Sequence, residues 1–200
     1  MLMEKASKVN ALIVLPEGTE ARILKAARII TKQKIAKIVL LGKEEDIQEK
    51  GKSFSLDLSE IAIIDPKKFP ELERYSRELY ERRKHRGVTL EDARNLILNP
   101  LYFGAIMVAL GDAHGMVVGA VTKTSDVMRT ALQVIPKGEN VKLVHRFANA
   151  EVIGPITQGL SKPINNLSRG SSISDIINSI LVTILQSTSK PIIPTKEIEE

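Results

Sequence analysis

The sequence predicts one α/β domain in three layers, with a mostly parallel sheet between two sets of helices. Three observations carry this. Short, nearly unbroken apolar runs (Ala11–Leu15, Ala36–Leu41, Ile61–Ile64) read as strands buried on both faces. Helical segments follow the strands, with apolar residues such as Ile23, Leu24, Ala27 and Ile30 recurring at a period near 3.6. Strand–helix alternation of this kind needs crossover connections and so favours parallel pairing. Ligands in such folds bind beyond the carboxyl ends of the strands.

The elements follow in order. Residues 1–9 read as a lead-in helix. The first strand stops at Pro16-Glu17-Gly18, and Thr19 is placed to cap the next helix. The second strand stops at Gly42, and a short helix is expected over Glu44–Glu49. The third strand ends at Asp65-Pro66. Glu71–Arg86 reads as a charged helix turning Leu72, Tyr75 and Leu79 inward; Gly87 stops it and Thr89 caps another. Asn99-Pro100 breaks that helix, and Leu101–Leu110 continues as a buried one. Gly115–Ala120 is a further strand, then a polar loop over Val121–Asp126 and a helix to about Val134 with Arg129 in its first turn. Residues 136–140 look like a join, Val141–Glu151 like a helix, and Gly154–Ser172 like a polar, glycine-bearing loop. That loop runs into a helix capped by Ser171 or Ser172, with an apolar stripe of Ile173, Ile176, Ile177 and Ile180. The predicted domain is therefore 1–187, made of 1–135 and 141–187, and 188–200 is expected to be a fraying tail.

Composition narrows the function. Two hundred residues, 43% hydrophobic and 26% charged, suffice for one domain with a real core. With no cysteine there is no disulfide framework and no thiol nucleophile, which suits a reducing cytoplasm. No signal peptide is read, and the most apolar run, Ile176–Leu185, is too short to span a bilayer, so no membrane partner is expected. The net charge of +5 suits a protein that handles anions. Aromatic residues make up only 4%, without a stacking platform, so small phosphate-bearing substrates are expected rather than nucleic acid. His85, His114 and His145 stand apart from one another, and no metal is assigned.

Three segments carry residues fit for chemistry, and each has a plain structural explanation beside it. Arg82-Arg83-Lys84-His85-Arg86-Gly87 is a basic helix end, where cations also suit the helix dipole. Gly119–Arg129 is a strand end, a hydroxyl-rich loop and a helix start. It is a natural seat for an oxyanion, although Thr124, Ser125 and Asp126 also suit plain N-capping. Ser168, Arg169 and Asp175 place a hydroxyl, a permanent cation and a carboxylate within eight residues, while Ser172-x-x-Asp175 is also a capping box.

Taken together, GPITQGLSKPINNLSRGSS-x-x-Asp175, the basic RRKHRG run and the TKTSDVMR segment resemble the phosphate acetyltransferase (phosphotransacetylase) family. Lys123 and Thr130 depart from its pattern, in which a small hydroxyl residue and a proline are common. The resemblance implies the fold of the first domain of those enzymes, which is like that of isocitrate and isopropylmalate dehydrogenases. It implies interconversion of acetyl-CoA plus phosphate with acetyl phosphate plus CoA, with CoA as a substrate and no resident cofactor. By residue match, Asp175 is the base for the CoA thiol, Arg169 steadies developing charge, and Ser168 hydrogen-bonds the reacting groups. Arg83 and Arg129, with Thr124 and Ser125, bind the phosphate. The family normally carries a second α/β domain between the parts matched here, which builds one wall of the cleft and much of a dimer contact. The chain is therefore expected to self-associate as a homo-oligomer. A weakly active or inactive remnant that binds phosphate or CoA, and a butyryl-type acyl specificity, are the alternatives.

Overall fold

A computed structural model describes residues 2–136 and 160–188. The expected helix over Val141–Glu151, most of the 136–140 join and the tail lie outside the described residues. A five-stranded sheet, all of whose pairs are parallel, runs in the order β3-β2-β1-β4-β5. Its strands are β1 (Leu12–Leu15), β2 (Lys37–Leu41), β3 (Ala62–Ile64), β4 (Gly115–Val118) and β5 (Ile164–Asn166). The helices are α1 (Leu2–Ser7), α2 (Ala21–Lys32), α3 (Glu44–Ser53), α4 (Leu72–Arg83), α5 (Leu90–Ile97), α6 (Pro100–Leu110), α7 (Thr124–Val134) and α8 (Ile173–Thr188).

Alternation along the strands builds two cores. Ile13, Leu15, Ile38, Leu40 and Val117 face α2 and α8, while Val14, Val39, Leu41, Met116 and Val118 face α4, α6 and α7. These strands are apolar on both faces, as a covered parallel sheet requires. Helix α6 is apolar all round because it is buried: Leu101, Phe103–Val108 lie within the second core. Asn99 caps it by accepting the N–H of Leu101, and Gly111 ends it at φ 88°.

Local chemistry differs from the expectation at three places. Glu20, rather than Thr19, caps α2, its carboxylate accepting the N–H of Arg22. Arg129 falls in the second turn of α7, which starts at Thr124. The stretch expected to be one polar loop contains strand β5. Its Ile-Asn-Asn sequence hides a fully buried strand because the asparagine side chains are paired inside. Asn165 donates to Thr183 Oγ1 and Gln186 Oε1 of α8, and Asn166 to Thr124 Oγ1 of α7.

The chain winds from β1 through β2 to β3 in one direction, and from β4 to β5 in the other. The carboxyl ends of β1 and β4 therefore flank the point where the winding reverses, where a crevice opens in folds of this type.

Candidate active site

Three loops meet at that rim: Pro16–Glu20 after β1, Gly119–Lys123 after β4, and Leu167–Ser172 after β5. The ladder between β4 and β5 runs one bond further, Leu167 N–H to the Val118 carbonyl at 2.7 Å, so the last two loops leave the sheet side by side. Gly119 allows the close approach. Its φ is +114°, and a Cβ there would lie 2.5 Å from Asn166 Oδ1 and within 2.9 Å of the Leu167 backbone.

Two residues of the first loop and helix tie the others down. The buried Glu17 carboxylate accepts four successive backbone N–H groups: Gly119 at 3.0 Å and Ala120 at 2.8 Å on Oε2, Val121 at 3.0 Å and Thr122 at 2.7 Å on Oε1. The loop does form an anion-binding nest, as its sequence suggests, but the protein's own carboxylate fills it. Arg22 reaches from the first turn of α2 to the carbonyls of Ala120, Arg169 and Ser171.

Against this frame the expected site residues fall into place unevenly. Ser168 and Arg169 are exposed on the turn after β5, where Ser168 Oγ accepts the N–H of Gly170 at 3.3 Å and keeps its own hydrogen for another partner. Asp175 is half-buried in the first turn of α8 and completes a capping box with Ser172. Its Oδ2 accepts the Ser172 N–H at 2.7 Å and hydroxyl at 2.8 Å, and Ser172 Oγ accepts the Asp175 N–H at 3.2 Å. Those bonds, the backbone one first, hold the Asp175 carboxyl below the usual aspartate range. The group is therefore ionised at neutral pH, and the neighbouring oxygen, Oδ1, takes neither bond.

Thr124 and Ser125 are exposed at the start of α7, and Thr124 is linked to the end of β5 through Asn166. Arg129, 62% exposed and paired with Asp126 at 3.1 Å, lines a cleft of about 320 Å³ at the winding reversal. Pro16, Glu17, Thr122, Asp126 and the N-terminus of α6 complete its walls, whereas Ser168, Arg169 and Asp175 lie outside it.

Arg83 is not among the residues that line the cleft beside Arg129. It ends α4, and the adjacent Arg82 donates to the carbonyl of Val134, the last residue of α7. That carbonyl lies about 15 Å along α7 from Thr124. Arg129 stands five residues before Val134 on the same helix, about 7.5 Å along it. Sequence reasoning also missed Glu17, Arg22 and Asn166, the residues that hold the rim together. Among the described residues, no group of three or more His, Cys, Asp or Glu is placed to hold a metal ion. Among them too, no single helix is long and apolar enough to cross a membrane.

A doubly wound sheet with loops converging at its winding reversal, carrying a capped carboxylate and an exposed Ser-Arg pair, defines the class: an α/β protein with a candidate ligand-binding rim. The particular family comes from comparison. Residues 1–145 and 139–184 match the family described as phosphate acetyl/butaryl transferase, and the chain belongs to that family. It is similar to the phosphate acetyltransferase of Thermoanaerobacterium thermosaccharolyticum, 42% identical over 151 residues, covering 76% of this chain and 45% of the relative. The corresponding protein of Acetivibrio thermocellus is 44% identical over 146 residues, covering 73% of this chain and 43% of the relative. The chain thus spans less than half the length of these relatives. In fold it resembles the EutD phosphotransacetylase of Staphylococcus aureus, with a TM-score of 0.82 and 22% identity over 93% of this chain and 97% of that one. A phosphotransacetylase of Streptococcus pyogenes gives a TM-score of 0.84 at 21% identity, over 93% of this chain and 96% of that one.

Proposed function

We propose that this chain carries the acyl-transfer half of a phosphate acetyltransferase site, exchanging an acetyl group between phosphate and the sulfur of CoA. The observation that carries the reading is the pinning of the β4 and β5 loops side by side, which presents Ser168, Arg169, Asp175 and Thr124 at one rim. In this reading Asp175 Oδ1 takes the proton of the CoA thiol, and the sulfur attacks the carbonyl carbon of acetyl phosphate. The new carbon–sulfur bond forms, the carbon–oxygen bond to phosphate breaks, and the proton leaves with the phosphate.

Arg169 and the Ser168 hydroxyl offer donors to the oxygen that gains charge in that step. The low proton affinity of Asp175 makes it a weak base for a thiol, so its contribution is largest if the substrate displaces one of the Ser172 bonds. Thr124, Ser125 and Arg129, with Arg83, are assigned to the phosphate.

The relatives' names extend to this chain as substrates: acetyl phosphate, phosphate and acetyl-CoA. The match in two pieces that meet at residues 139–145 supports a chain equivalent to the relatives' first domain, with their central part left out. Soluble, cytoplasmic work as a homo-oligomer fits that reading. A second reading, an inactive domain that only binds phosphate or CoA, draws on the exposure of Ser168, Arg169 and Arg129. Turnover separates the two. Formation of acetyl-CoA from acetyl phosphate and CoA, abolished by Arg169→Ala and Asp175→Ala, supports transfer. Calorimetric binding of CoA with no turnover supports the inactive domain.

A further inference from the structure

The Arg22 side chain hydrogen-bonds all three loops of the rim. Its Nε donates to Glu20 Oε1 at 2.6 Å, its Nη1 to the carbonyls of Arg169 and Ser171, each at 2.8 Å, and its Nη2 to the carbonyl of Ala120 at 3.0 Å. The side chain is only 29% exposed, and Glu20 neutralises it. The two carbonyls on Nη1 flank Gly170, so the guanidinium grips the inner side of the turn that shows Ser168 and the Arg169 side chain outward. The carbonyl on Nη2 belongs to the loop whose N–H groups Glu17 holds. One loop is thus fixed through its donors by an acid and through its acceptor by a base, and that base also fixes the second loop.

We propose that Arg22 is a positioning residue for acyl transfer: it sets the spacing between the start of α7, with Thr124 and Ser125, and the Ser168–Arg169 turn. The inference rests on the acyl-transfer reading of that rim. Arg22 is no candidate for touching substrate, since Nε, Nη1 and Nη2 are all turned onto protein acceptors. The planar fork meets the carbonyls of the two loops from two separate nitrogens, an arrangement that an ammonium, with its donors on one atom, does not reproduce. Misplacing reacting groups by about 1 Å costs up to roughly 100-fold in rate.

The test compares the unaltered protein with Arg22→Lys, Arg22→Gln and Arg22→Ala in two measurements. One is the steady-state conversion of acetyl phosphate and CoA to acetyl-CoA. The other is amide hydrogen exchange without substrate in peptides covering 117–124 and 165–173. Arg22→Lys and Arg22→Gln are expected to lower kcat roughly 10- to 100-fold while KM changes less than about threefold. Exchange should quicken in those two peptides and not in α4–α6. Guanidinium ion added to Arg22→Ala should restore part of both signals.

Unchanged exchange at both loops in Arg22→Lys overturns the inference, as does quickening spread evenly through the chain. If the unaltered protein gives no acetyl-CoA, the acyl-transfer reading fails, and the exchange data alone decide whether Arg22 couples the loops.

Discussion

Replacing Glu17 by glutamine tests the frame of the site with a change of one atom. The carboxylate presents two oxygens to four N–H groups, two on each. Glutamine keeps the shape and one oxygen but puts an NH2 group where the other oxygen was. Whichever way the amide turns, two backbone donors then face another donor and lose their acceptor. Glu17 is 9% exposed, so water does not readily replace that acceptor. Each buried donor left unsatisfied costs about 1–3 kcal/mol, so the pair costs about 2–6 kcal/mol. Against a total stability of about 5–15 kcal/mol this is a large fraction. For a domain of this size, about 4 kcal/mol lowers Tm by about 8–16 °C. Urea unfolding followed by circular dichroism, with the m-value compared to the parent, reads the change directly. A midpoint shifted by less than about 0.5 kcal/mol would show that the nest does not depend on its carboxylate and refute the reasoning.

Gly119→Ala places a Cβ 2.5 Å from Asn166 Oδ1 and 2.8 Å from the Leu167 carbonyl oxygen at a φ of +114°; the main chain cannot yield cheaply, so more than about 2 kcal/mol should be lost in urea unfolding, together with acetyl transfer. Because the Asp175 carboxyl is held below its ordinary value of 3.8, its bonds to Ser172 contribute stability above that pH and lose it as pH falls through the depressed value. Asp175→Asn should therefore unfold with a weaker pH dependence on the acid side, measured as urea midpoints over the acid range. The exposed Glu73 carboxyl, hydrogen-bonded by Arg94 first and Arg77 second, is lowered to about 2. A carbon-detected NMR titration should find its midpoint there, and Arg94→Gln should raise it towards 4.5; a midpoint that does not move would show that Arg94 is not the cause.

What the sequence made legible was local. Strands β1 and β2 announce themselves because a covered parallel strand is apolar on both faces, and Thr89-x-x-Asp92 and Ser172-x-x-Asp175 announce helix starts because both bonding partners lie within one turn. Strand β5 could not be read that way. The side-chain N–H groups of its two asparagines are paired with residues on α7 and α8, 18 to 42 positions away. Glu17 and Arg22 were hidden for the same reason at greater range, their acceptors and donors lying 98 to 149 residues on.

The helix starts at the rim were legible from connectivity alone. A helix that leaves a strand directly in this fold starts at the carboxyl rim of the sheet. Thr124, Ser125 and Asp175 lie in the first turns of α7 and α8, the helices that follow β4 and β5, and so reach the rim, whereas α4 is not such a helix, because its Arg74 and Tyr75 meet Asp112 just before β4.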